Sequence, residues 1–360
     1  MAKIDAFFKL MNERGASDLH LTSGSQPILR ITGQLERVKY KPLENEELKA
    51  MLYEITTEDK IKVFEETGDI DFGYEIPGLA RYRANFFQQK NGVGAAFRQI
   101  PTDIMTIEGL GLPKILKKMA ALPKGLILVT GPTGSGKSTT LAAIIDHVNK
   151  SRRDHIITIE DPIEFVHQSQ GCMINHREVG SHTKSFSAAL RGALREDPDV
   201  ILIGEMRDLE TISLAIEAAN TGHLVLATLH TSSASKTIDR VIEVFPADQQ
   251  AQIRSNLADS IKAVVCQTLF KRKDKNGACV ALEILICTPA VRNLIREGKT
   301  FQIPSVIQTG KKYGMQALDD DIMNFLEKKW VDTEEAYNKC IDKAKFQPFL
   351  RKSPGDFTDI

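Results

Sequence analysis

The run Gly131–Thr140, GPTGSGKSTT, constrains this chain more than any other stretch, because it satisfies G-x-x-x-x-G-K-[ST] with Gly131, Gly136, Lys137 and Ser138. That pattern is useful at one place in a fold only, where a strand passes through a glycine loop into a helix N-terminus. The flanks supply this context: GLILVT (Gly125–Thr130) is a short apolar run of strand type, and LAAIIDHVN after the loop has helical spacing. Gly131, Pro132, Thr133, Gly134, Ser135, Gly136, Lys137, Ser138 and Thr139 then form the phosphate-binding set. Loop amides cradle the phosphates, Lys137 reaches the β/γ oxygens and Ser138 holds magnesium. The sequence therefore predicts binding of a nucleoside triphosphate with Mg2+.

The segments around the loop set the fold class. After Pro113, strands alternate with helices: GLILVT, HIITIED, DVILIGE and HLVLATLHT are near-continuous apolar runs, as in a mostly parallel sheet covered on both faces. An α/β nucleotide-binding region is predicted over 114–360, with a helical tail from about Ala247 to Lys345. Residues 1–100 read as a smaller α+β domain. Ile4, Phe7, Phe8 and Met11 form one helical stripe, DLHLT, ILRITG, RYRANFFQQ and GVGAAFRQI alternate as strands, and NEELKAMLYEI and TEDKIKVFEET have helical spacing. IPTDIMTIEGLGLP, with prolines and glycines near its ends, reads as a linker over 101–113. The length of 360 residues suits two such domains.

Composition narrows the partners. Lys plus Arg and Asp plus Glu both number 47, so no global field recruits nucleic acid, and no nucleic-acid partner is expected. No apolar stretch approaches the roughly 18 residues of a membrane span. The first residues, MAKIDAFFKLMNERG, lack a signal-peptide core. The five cysteines (Cys172, Cys266, Cys279, Cys287, Cys340) are scattered without a C-x-x-C pair, which points to reduced thiols packed as small hydrophobes and to no zinc site.

Three further segments carry chemistry. ITIEDPIEF brings Glu160, Asp161 and Glu164 to one strand end; ILIGEMRD places Glu205 at another; TGHLVLATLHT brackets a third strand with His223 and His230. In open parallel sheets ligands sit beyond the carboxyl ends of the strands, where Glu164, Glu205 and His230 should point. Strands of this kind usually end in Asp, so Glu205 is expected to serve the magnesium directly or through a water. His223 is as well explained by structure as by function.

Taken in order and spacing, the Walker A loop, the acidic "Asp box" ITIEDPIEF, the Walker B segment ILIGEMRD and the "His box" TGHLVLATLHT resemble the secretion-ATPase superfamily, hexameric motors of type II secretion and type IV pili. The resemblance spans nearly the whole chain, from GASDLHL onward, and is strongest to the type IV pilus retraction ATPases. PAVRNLIREGK is similar to that family's AIRE signature, here Ala290, Val291, Arg296 and Glu297, with valine for isoleucine. The long N-terminal extension and tetracysteine module of the extension and secretion relatives are missing from this sequence.

This resemblance implies a RecA-like ATPase domain behind a PAS-like N-terminal domain. It also implies a homo-hexamer, ATP as substrate, and work on an inner-membrane pilus platform protein from the cytoplasmic side. It implies roles as well: Glu164 as the base orienting the attacking water, Glu205 as completing the magnesium shell, His230 at the catalytic site, and Arg83 and Arg98 as arginines set against the triphosphate, acting across a subunit boundary. Arg191, Arg195, Arg207 and Arg240 match further family arginines, although Arg191 and Arg195, four apart on one helix, read equally as a solvated face. Competing readings remain an accessory retraction, extension or secretion ATPase, a nucleotide-switched scaffold with little turnover, and a nucleic-acid translocase.

Overall fold

Alternation and apolar continuity divide the chain into two kinds of sheet. The computed structural model describes residues 2–31, 33–100 and 103–350. It resolves into two compact units, one comprising Met1–Asp103 with Asp161–Val166 and Glu178–His182, the other Ile104–Glu160, His167–Arg177 and Thr183–Ile360. Thr32 of the ILRITG segment, Pro101 and Thr102 of the expected linker and residues 351–360 of the expected 114–360 region lie outside the described residues.

In the N-terminal unit, α1 (Asp5–Glu13) is followed by β1 (Asp18–Thr22), β2 (Ile28–Ile31), β3 (Gln34–Arg37), α2 (Asn45–Tyr53), α3 (Glu58–Thr67), β4 (Asp69–Ile76), β5 (Ala80–Gln89) and β6 (Gly92–Ile100). The strands pair antiparallel in the order β3-β2-β1-β6-β5-β4. Alternation gives β1, β5 and β6 a buried row each, and Leu19, Leu21, Tyr82, Phe86 and Phe97 fill one core with the α1 stripe Ile4, Phe7, Phe8 and Met11. Phe8 packs its ring 4.4 Å from Tyr82 and 4.9 Å from Phe97. Its truncation to alanine is worth about 3–5 kcal/mol. β3 and β4 were not read from the sequence: β3 is wholly exposed, whereas β4 (DIDFGYEI) does alternate, with Asp69, Asp71, Gly73 and Glu75 on one row and Ile70, Phe72, Tyr74 and Ile76 on the other, and was overlooked.

The second unit contains α4 (Ile115–Ala120), β7 (Gly125–Thr130), α5 (Lys137–Ser151), β8 (His155–Glu160), β9 (Met173–Glu178), α6 (Phe186–Ala193), β10 (Val200–Ile203), α7 (Leu209–Thr221), β11 (Leu224–Leu229), α8 (Ala234–Glu243), α9 (Gln250–Ser260), β12 (Ile261–Lys271), β13 (Ala278–Ile286), α10 (Pro289–Arg296), α11 (Ile303–Thr309), α12 (Leu318–Glu327), α13 (Thr333–Lys339) and α14 (Lys343–Phe346). Its sheet runs β13-β12-β7-β11-β10-β8-β9. β12, β7, β11, β10 and β8 are mutually parallel, and β13 is antiparallel to β12. Every residue of β7, β8, β10 and β11 is buried, which is why those runs are apolar without alternation.

The structure corrects two sequence expectations. The region after Ala247 is helical only on either side of a strand pair: β12 and β13 extend the sheet past β7. Their sequences, IKAVVCQTLFK and ACVALEILI, are buried almost throughout, and a continuous apolar run carries no period to separate strand from helix. Arg191 and Arg195 do not share a helix either. α6 ends at Ala193, and Arg195 lies beyond the C-cap Leu194.

Candidate nucleotide site

The parallel register decides which side chains share an edge. Leu224 pairs with Gly125 and Leu229 with Thr130, so His223 and His230 fall at opposite ends of β11. His230 follows the carboxyl end, beside the glycine loop that follows β7. His223 sits at the other end, where its Nδ1 lies 2.9 Å from the carbonyl of Ala218 near the end of α7, a structural position. Glu205 follows β10, whose neighbour is β11.

The loop is held open by its glycines and by a residue that sequence reasoning missed. Gly131 has φ +145°, and a Cβ there would lie 2.4 Å from the Gln267 carbonyl and 2.6 Å from Ser135 Oγ. No side chain fits, and only glycine adopts that backbone readily. Gln267, on β12 and 1% exposed, donates from Nε2 to the carbonyl of Ser135 at 2.6 Å. The Ser135 hydroxyl and Gln267 Oε1 are buried without a hydrogen-bond partner among the described residues. Lys137 folds back, its Nζ donating to the carbonyls of Gly131 and Pro132 at 3.0 and 3.1 Å. The loop ends in α5, whose N-cap is Gly136 at φ +86°. Its first amides and dipole favour an anion. A cavity of about 450 Å³ opens beside the loop, between Pro132–Ser135 and Phe270, Glu335 and Lys339. That is the size range of a small-ligand site.

Glu205 is the acidic partner at this edge. Its Oε1 lies 3.2 Å from His230 Nε2, and its Oε2 accepts from Arg207 Nη2 at 2.7 Å. Burial pushes its carboxyl up, but the Arg207 and His230 contacts outweigh that and hold it below the usual carboxylate range. An ionised carboxylate together with the Ser138 hydroxyl in the first turn of α5 is a donor set suited to a hard dication. Arg191 is instead paired with Glu210 on α7, and Arg240 lies exposed in the last turn of α8.

The remaining sequence candidates belong to the N-terminal unit. Glu164 is half-buried in the Asp161–Val166 segment, whereas Glu160 closes β8 in the nucleotide unit. Arg83 and Arg98 sit directly opposite each other on β5 and β6, in a row that continues to Asp18 on β1 and Arg30 on β2. Like charges placed opposite repel, and two aspartates offset this. Asp71 takes Arg83 in a bidentate pair, with Nε 2.9 Å from Oδ2, and Asp18 takes Arg98 Nε at 2.9 Å. The Asp71 pair, with Glu164 and Asp161 nearby, holds the Arg83 guanidinium even more firmly protonated than usual. Neither aspartate stood out in the sequence, because the pairs form only when distant strands align.

The segment read as a retraction signature forms α10: Thr288 caps it, accepting from the Val291 amide, Pro289 opens it, and Gly298 follows at φ +69°. Val291 and Ile295 are buried and Leu294 half-buried, while Arg296 is exposed and paired with Asp259 of α9. All five cysteines are buried.

Comparison with known proteins decides the family. The family described as Type II/IV secretion system protein matches residues 3–299. The chain belongs to that family. It is 53% identical over 328 residues to the type IV pilus retractation ATPase PilT of Pseudomonas aeruginosa, covering 91% of this chain and 95% of that one. It is 47% identical over 339 residues to a twitching motility protein of Neisseria gonorrhoeae, covering 92% and 91%. The crystal structure of the pilus retraction motor PilT with bound ADP matches with a TM-score of 0.88 at 42% identity, over 96% of this chain and 98% of that one. The chain is thus a secretion-family ATPase of the retraction type, with the α/β architecture its strand pattern predicted and the RecA-like form the resemblance implied. Among the described residues no helix is long and apolar enough to cross a membrane.

Proposed function

We propose that this ATPase powers retraction of type IV pili, working as a homo-hexameric ring on the cytoplasmic side of the inner membrane against the pilus platform protein. The observation that carries the reading is the phosphate loop at the carboxyl edge of a parallel sheet, with the Glu205–His230 pair at the same edge, in a chain that matches a retraction ATPase over nine-tenths of its length. The functional division we propose is an N-terminal domain over 1–100, a linker over 101–113 and the ATPase domain from 114 onward.

Gly131–Thr139, running into the start of α5, bind the phosphates, and Lys137 leaves its carbonyl partners for the β/γ oxygens. Ser138 and Glu205 would hold Mg2+, Glu205 directly or through a water; the ion would neutralise charge on the phosphates. Glu164 orients and deprotonates the attacking water, and His230 holds Glu205 in place. Arg83 and Arg98 supply positive charge as the leaving phosphate develops negative charge, a contribution worth about 10³–10⁵ in rate in other phosphoryl-transfer sites. Such a transition state needs placement and charge more than covalent chemistry. The surface of α10, with Arg296 and Glu297, transmits the work outward.

Deleting the gene in its host should leave pili that assemble but do not retract, and the wild-type gene should restore retraction. Bald cells would point to an extension motor, and normal retraction would refute the proposal.

A further inference from the structure

Glu178 ends β9, lies outside every sequence motif, and has a side chain only 4% exposed. Its carboxylate is crowded with donors. Oε2 accepts from the Ile163 amide at 3.1 Å and from Arg81 Nη2 at 2.7 Å, and Oε1 accepts from the Ser181 hydroxyl at 3.0 Å. The Gly73 amide donates to it as well. Burial alone would push this carboxyl up, but the donors hold it below the usual carboxylate range, so it stays ionised at neutral pH.

The surroundings are built for this contact. A Cβ on Gly73 would lie 2.5 Å from Arg81 Nη2 and 3.0 Å from Glu178 Oε2, so β4 carries glycine where the arginine and carboxylate cross it. Arg81 is held on its other side by Glu75 at 3.3 Å. The turn after Glu178 is tied down too: the Glu178 amide donates to His182 Nδ1 at 2.9 Å, and Lys60 Nζ reaches Ser181 Oγ at 3.2 Å.

All of these groups belong to the N-terminal unit, Glu178 included, although the rest of β9 is grouped with the second unit. Ile163 immediately precedes Glu164, and Arg81 shares a strand face with Arg83, two residues on. One buried carboxylate therefore grips both the backbone that presents Glu164 and the strand that presents Arg83. An ionised buried group left without its partners is costly, so loss of either contact is penalised.

We propose that Glu178 is a positioning residue for ATP hydrolysis: it clamps the Glu164 segment to the Arg83 strand, so that the base and the arginine approach the triphosphate as one body. The inference rests on the reading of Glu164 as the base. A carboxylate that only supported the fold would lower stability without acting through Glu164.

The test uses purified intact rings of wild type, Glu164→Gln, Glu178→Gln and the double variant, measuring steady-state phosphate release against ATP concentration. Glu178→Gln is expected to lower kcat at least about tenfold while KM stays within about threefold. The double variant is expected to be slower than Glu164→Gln by no more than about twofold, because what the clamp supplies is the placement of the base relative to the arginine, and that is already lost with the base. A Glu178→Gln kcat within about twofold of wild type overturns the proposal, as does a double variant slowed by a further tenfold or so. If Glu178→Gln fails to assemble, Arg81→Lys decides, since it keeps the charge and loses the fork. A lowered kcat at unchanged KM supports the clamp, and an unchanged kcat overturns it. Wild-type turnover by Glu164→Gln would remove the base reading itself, an outcome distinct from failure of the clamp alone.

Discussion

The two units hold charge in opposite ways. In the nucleotide unit the phosphate site is made mostly of backbone: glycines at positive φ, the first turn of α5, and one lysine parked on the loop's own carbonyls. Its parts are contiguous in sequence because a loop is a local structure. In the N-terminal unit the charged site is a row of side chains, Arg83, Arg98, Asp18 and Arg30, brought level by the register of four strands. A sheet face is a non-local structure, and no contiguous string encodes it. The loop is therefore expected to tolerate little change anywhere along its length, whereas the sheet face should respond to charge balance between partners far apart in the chain.

The sharpest way to break this contrast is at Lys137. Lys137→Ala is expected to weaken nucleotide binding and to lower kcat/KM at least about a hundredfold. Arg83→Ala should lose turnover with far less effect on binding. Mixing the two inactive proteins should restore part of the activity, since an arginine given across a subunit boundary can serve a neighbour's intact loop. Confirmed mixed rings that stay inactive would place the arginine's action within its own chain.

A smaller effect separates stability from chemistry in the nucleotide unit. His167 is 5% exposed, its ring stacks 6.0 Å from that of His176, and its Nδ1 has no hydrogen-bond partner among the described residues. Burial, reinforced by His176, pushes its pKa down from 6.5 to about 4. Between those values the unfolded chain binds a proton that the folded chain refuses, so stability is full above 6.5 and falls as the pH drops towards 4. The loss amounts to about 3 kcal/mol. Denaturant midpoints measured across that range should show the slope in wild type and lack it in His167→Gln; equal slopes would assign the acid sensitivity elsewhere.

The smallest expected effect on chemistry lies farthest from the loop in sequence. Arg296→Ala or Glu297→Ala should keep ATP turnover within about threefold of wild type, since exposed substitutions seldom cost more than roughly 0.5 kcal/mol. Retraction, read as twitching motility, should nevertheless be lost. Turnover falling in step with motility would make α10 part of the hydrolysis cycle.

The same contrast explains what could be read from the sequence. The loop, the buried parallel strands and the α1 stripe were legible because each has its own period or punctuation. β12 and β13 were hidden because a strand buried on both faces has no alternation, and with them went Gln267, whose only signal is a polar residue inside an apolar run. Asp71, Asp18 and Glu178 were hidden for another reason: each acts on a residue from a distant segment, and only the folded register joins them. His223 and His230 bracket one strand in TGHLVLATLHT; the sequence already set His230 at its carboxyl end and left His223 open, and the fold puts His223 against the Ala218 carbonyl at the other end of β11.

The central proposal is that Glu164 is the base that activates the water attacking the bound triphosphate. Nucleotide affinity and steady-state phosphate release of Glu164→Gln, measured beside wild type with ATP and Mg2+, test that claim directly. The account predicts ATP binding near wild type and hydrolysis at least about a hundredfold slower, as expected for loss of a positioned base. A Glu164→Gln protein that turns over at close to the wild-type rate would contradict it and move the base role to Glu205.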